Sequence, residues 1–170
     1  MTRILTRLAL AATCCYTFML TGCPVSSKFP LGPKGAEPVN QELIGTWNQG
    51  DKELEAQKIK ISNGKDANTY KVEVLEKGDA FMADATQFNG WLTNINKMQF
   101  LVLQEAPDGN ATETYFVYHI QQKNGKVITN DISLKVNGTD AITSIDAYRE
   151  EVTASMKDKE FLSGEITWSK

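Results

Sequence analysis

The chain has 170 residues, 18 Lys and Arg against 21 Asp and Glu, a formal net charge of −3, and 41% hydrophobic residues. The acidic balance argues against nucleic acid as a partner and against a polybasic membrane patch. One histidine, and three cysteines confined to positions 14, 15 and 23, leave too few ligands for a zinc site and no cysteines to staple the body of the chain.

In chain order, the first element predicted is an export signal. Arg3 and Arg7 make a short positive start, and an uncharged apolar run follows from Leu8 to Leu20. That run is too short for a hydrocarbon core, which needs roughly 20 residues. Leu20-Thr21-Gly22-Cys23 then resembles the lipobox of bacterial lipoprotein signals, an apolar residue and two small ones before Cys. The alternative is an ordinary small-residue cleavage site with a chance cysteine. The resemblance implies a diacylglycerol thioether on Cys23, cleavage between Gly22 and Cys23, and acylation of the new amino group, palmitate being a typical chain. Residues 1–22 are then a discarded signal. Taking those 22 from 170 leaves 148 residues; losing Arg3 and Arg7 but no acid brings the formal charge to −5. Pro24 after the cysteine, where Asp is associated with inner-membrane retention, implies the outer membrane by the same resemblance.

Residues 23–40 carry Pro24, Pro30, Pro33 and Pro38, four of the five prolines, with Gly32 and Gly35. The composition predicts a semi-rigid tether, which as polyproline II would reach on the order of 50 Å.

From residue 41 to 170 the chain reads as one β domain. Asn63-Gly64, Asn89-Gly90, Asn124-Gly125, Asn137-Gly138 and Asp108-Gly109 mark turns, with Lys77-Gly78 joining two more runs. Between them lie "IGTWN", "QKIKIS", "TYKVEVLE", "MQFLVLQ", "TYFVYHIQ" and "KVITNDISLKV". Several alternate with period two, and the near-continuous apolar "MQFLVLQ" suits a strand covered on both faces. Eight or nine strands joined by short turns predict an all-β, antiparallel up-and-down meander closed into a barrel, with one late helix.

That helix is expected near 140–158, where Ile142, Ile145, Tyr148, Val152 and Met156 recur at three and four residues. Thr139 or Asp140 is the expected cap, and Arg149 is expected to reach water from the edge of the stripe. Asp146, Glu150 and Glu151 read as a solvated face, which suits a helix on the barrel's outside or end better than one lying on anionic lipid. "EITWSK" closes the chain as a short strand.

Gly45-Thr46-Trp47 in "ELIGTWNQ" resembles the Gly-x-Trp signature of lipocalins, as does the order of meander, late helix and final strand. The resemblance implies a lipocalin-like barrel whose Trp47 closes the bottom; a large core aromatic on an edge strand is the plainer reading. The layout also resembles small bacterial lipoproteins that begin with a Leu-x-Gly-x-Trp strand. The chain departs from true lipocalins in lacking a Thr-Asp-Tyr motif and an Arg placed to stack on Trp47.

No catalytic constellation emerges. The chain has no G-x-S-x-G, and His119 is its one imidazole. "DGNATE" begins like a calcium loop but places Glu113 and His119 at the sixth and twelfth positions, where Gly and Glu belong. Alternation sets Tyr115, Val117 and His119 on one face of their strand. If that face lines the barrel, the three are candidates for a ligand cavity, whereas the bland reading of His119 is a hydrogen-bonded structural histidine. The functional expectation is a lipid-anchored, non-enzymatic envelope protein, without cofactor or metal, binding a small apolar molecule or an envelope protein. Its alternative is an assembly factor or inhibitor with a packed barrel, its core filled by Phe81, Phe100, Phe116 and Tyr118.

Overall fold

A computed structural model describes residues 25–49, 58–76 and 87–170. Residues 1–24, which include the expected signal with Gly22 and Cys23, lie outside them, as do Phe81 and Lys77-Gly78. Strands β2 (Gly45–Gln49), β3 (Lys58–Asn63), β4 (Tyr70–Glu76), β5 (Gln87–Ile95), β6 (Met98–Glu105), β7 (Tyr115–Lys123), β8 (Lys126–Ile132) and β9 (Leu162–Ser169) each pair antiparallel with the next. β9 returns to β2 through Asn48↔Ser169 and Gln49↔Trp168, closing an eight-strand barrel. A two-residue strand, β1 (Ser26–Ser27), adds to β7 where β8 has turned away. The helix α1 (Ile145–Ser155) stands between β8 and β9.

Local chemistry accounts for several turns. At Asn124-Gly125 both φ angles are positive (54° and 74°), as a two-residue I′ hairpin requires. The β5–β6 hairpin does the same without glycine, at Asn96 (48°) and Lys97 (69°). Asn89-Gly90, expected as a turn, lies inside β5, a strand the alternation did not disclose. Gly90 faces the interior, and a Cβ there would stand 3.2 Å from Leu103 Cδ2. Its glycine therefore serves close packing. Asn137-Gly138 also joins no hairpin but leads into a 3₁₀ turn at Thr139–Ala141. The helix starts later than expected, capped by Ser144, whose Oγ accepts from the Ala147 N–H (3.1 Å), in place of Thr139 or Asp140.

Two cores lie on either side of the barrel wall. The interior takes side chains from all eight strands, among them Trp47, Ile59, Val72, Phe88, Leu101, Tyr118, Val127 and Trp168. The outer core covers β5, β6 and β7 with Trp91, Ile95, Phe100, Val102 and Val117, beneath Tyr148 and Val152 of α1 and Leu31. That double burial explains the continuous apolarity of β6.

The stretch read as a tether is, from Val25 onward, part of the domain. Val25 and Phe29 pack on the outer core, and Leu31 is completely buried in it. The Trp91 indole N–H donates to the Gly32 carbonyl (3.0 Å), and Arg149 Nη1 donates to the Leu31 carbonyl (3.2 Å). Farther along, Asn68 Nδ2 donates to the Gly35 carbonyl (3.1 Å), and the Asn40 N–H to the Tyr70 hydroxyl (2.7 Å). Prolines already restrict the unfolded chain, so ordering costs less entropy, and burying one leucine contributes about 2 kcal/mol.

Candidate functional site

The barrel interior is the first place to seek a site. The 3₁₀ turn Gln41–Leu43 buries Leu43 in the interior core, and the Leu43 carbonyl accepts from the Trp47 indole N–H (2.8 Å). Lys170 Nζ sits 4.8 Å from the Trp47 ring centroid, a cation–π contact, and donates to the Glu42 carbonyl (3.3 Å). Above them Trp168, Tyr70 and Phe88 are each about 1% exposed, and the Trp168 indole donates to Thr129 Oγ1 (2.9 Å). Phe116 meets Phe88 edge to face at 6.3 Å. Asp131 lies opposite Tyr118 across β7 and β8. Burial pushes both groups' pKa values up, and the Asp131 charge adds to the rise at Tyr118.

Tyr115, Val117 and His119 do share a face, but it is the outer one. Tyr115 meets Trp91 edge to face at 6.1 Å, Val117 belongs to the outer core, and His119 meets Phe100 at 5.9 Å. The three therefore pack the outside wall and line no interior cavity. Phe100, expected inside, faces the same way, while Phe116 and Tyr118 point inward. Alternation alone did not disclose the side, because both faces of β7 are apolar.

His119 is almost fully buried. Its Nδ1 lies 3.3 Å from Asn130 Oδ1 and its Nε2 3.3 Å from Gln121 Nε2. An amide nitrogen donates only, so Nε2 accepts and Nδ1 carries the proton: a neutral imidazole. Burial lowers its pKa, partly offset by the Asn130 contact. Among the described residues no cluster of three His, Cys, Asp or Glu forms a metal site.

Glu151, expected on a solvated face, is instead buried and captured. Its Oε1 accepts from the backbone N–H groups of Val136 (3.1 Å), Asn137 (3.0 Å) and Gly138 (3.3 Å), and from Ser155 Oγ (3.1 Å). Its Oε2 accepts from Asn137 Nδ2 (2.9 Å). Burial alone would raise the carboxyl pKa, but these donors outweigh it and hold the value below normal. Arg149, expected in water, donates to the Leu31 carbonyl, Thr93 Oγ1 (3.3 Å) and the Asn94 carbonyl (3.0 Å). Glu151 thus ties the β8–α1 connection to α1, and Arg149 ties α1 to the N-terminal stretch and to β5. Helical spacing placed both residues on α1, but apart from Ser155 their partners lie 13 to 118 residues away. The nearby Tyr148 hydroxyl is buried with no partner among the described residues, and burial drives its pKa far up.

Among the described residues, the surface outside the barrel carries a cleft beside β1 and another beside α1. The larger, about 400 Å³, is bounded by Ser26, Lys28, Phe29, Glu113, Asp140 and Ile142, where β1, the β6–β7 loop and the turn before α1 meet. A second, about 290 Å³, follows the exposed side of α1 around Arg149, Glu150 and Lys157. The described residues thus form a closed eight-strand antiparallel barrel with one added strand and one α-helix. No protein-family model, curated protein or solved structure matches the chain.

Proposed function

We propose that the protein is a cell-envelope lipoprotein whose barrel acts without catalysis, as a rigid body that engages an envelope protein through its surface. In this reading residues 1–22 direct export, and Cys23 carries the diacylglycerol thioether and an amide-linked acyl chain, in the outer membrane. The lipobox supports the anchor. The observation that carries the surface reading is the burial of Trp47, Tyr70, Phe88 and Trp168, each no more than 2% exposed, in one apolar cluster inside the barrel, which fits a packed interior better than an open one. The captured Glu151 and neutral His119 both have internal partners, which fits structural roles.

Titration of the purified domain with fatty acids and with a hydrophobic dye, following Trp47, Trp91 and Trp168 fluorescence, tests the surface reading. The expected result is no saturable change. A saturable change with stoichiometry near one would restore the apolar-ligand reading. Mass analysis of membrane-derived protein, against Cys23→Ala, tests the anchor.

A further inference from the structure

We infer that the bilayer holding the Cys23 acyl chains is itself a docking partner of this domain, and that the barrel rests on it in one orientation, on the wall where β1 meets β7. The inference rests on the anchor proposed above and adds its geometry. Ser26 and Ser27 are paired with Phe116 and Tyr115, so the N-terminal chain is tied into the sheet from its first strand. Val25 packs on the outer core, and Leu31 is sealed beneath α1 by the bonds from Trp91 and Arg149. Only Pro24 stands between Val25 and Cys23. Two residue steps span at most about 7 Å, against the on the order of 50 Å that a free proline-rich tether would allow. A lipid on Cys23 therefore brings this wall to the headgroups.

The surface there is the rim of the 400 Å³ cleft, with Lys28, Glu113 and Asp140. One positive and two negative charges give no net attraction to anionic lipid. Docking is thus enforced by the short leash. The opposite wall is that of β3, four strands from β7 in the closed ring of eight.

Site-selective quenching in vesicles tests the orientation. Cys14 and Cys15 leave with the signal and Cys23 is thioether-blocked, so one introduced cysteine per variant can carry a fluorophore: Asp140→Cys on the cleft rim, or Lys60→Cys on β3. Both positions are exposed. The lipidated proteins are reconstituted in phosphatidylethanolamine–phosphatidylglycerol vesicles containing a headgroup-quencher lipid. At least threefold stronger quenching at position 140 than at position 60 is expected. Trp91→Phe, which deletes the bond to Gly32, should narrow that difference, and vesicles without the quencher lipid should give no quenching at either site. Equal quenching at both positions, on protein whose mass confirms the lipid, would overturn the inference and leave the anchor standing. A mass without lipid would overturn the anchor, and the docking with it.

Discussion

Replacing Glu151 tests whether a captured carboxylate holds the β8–α1 connection. In the native protein it accepts three backbone N–H groups, one amide and one hydroxyl, all within 3.3 Å. Hydrogen bonds to a charged group contribute roughly 1.5–3 kcal/mol each, but they are not additive, and the turn at 136–138 is open enough to recruit water when the carboxylate leaves. Glu151→Ala is therefore expected to cost about 3 kcal/mol. Glu151→Gln should cost about 1.5 kcal/mol, because its amide nitrogen would face the Asn137 Nδ2 donor. With a urea m-value near 2 kcal/mol/M, the alanine variant should unfold about 1.5 M earlier with m unchanged. The pH dependence has a definite sign. The folded pKa is depressed below the reference value of 4.5, so the stabilisation is present above pH 4.5 and is lost as pH falls through the folded value. Glu151→Gln should flatten that part of the stability–pH curve. An alanine variant within 0.3 M of wild type, or a glutamine variant with the wild-type acid slope, would refute the assignment (both limits set at roughly the error of such midpoints).

His119 has a linkage of the same sign in a higher pH window. Burial lowers its folded pKa below 6.5, so its neutral form contributes fully above pH 6.5, and stability falls as pH drops from there to the folded value. His119→Gln should remove that slope between pH 7 and 5 in urea midpoints; parallel curves would contradict the neutral assignment. Trp168→Ala should open a cavity in the interior and cost about 4 kcal/mol, a melting-temperature drop of roughly 10 °C by calorimetry. Lys97→Gly should stabilise by about 0.5–1 kcal/mol, because Lys97 sits at φ 69° in its hairpin, where glycine is unstrained; a lower urea midpoint would show that its side chain has a role of its own.

Much of the barrel was written locally. Period-two alternation in "QKIKIS" and "TYKVEVLE", the Asn124-Gly125 turn and the three-four stripe of α1 all depend on neighbours a few residues away, so short-range physics suffices to read them. Asn89-Gly90 shows the limit: the pair tolerates a turn, but interior space beside Leu103 demanded the glycine for another reason. Tyr115, Val117 and His119 were correctly grouped on one face, yet with apolar residues on both sides of β7 no local signal says which side is inside. That was decided when α1 and Leu31 covered the outer wall. Glu151 and Arg149 looked like solvent-facing charges because most of their partners are backbone carbonyls and amides, which no sequence pattern marks. The prolines of residues 24–38 likewise predict a stiff chain, and stiffness serves a free tether and a packed strap equally well. Composition and periodicity thus determined strands, turns and an acidic all-β body. Only tertiary packing decided which face is core, and that the N-terminal strap lies on the barrel, because both depend on burial between segments that the chain brings together from far apart.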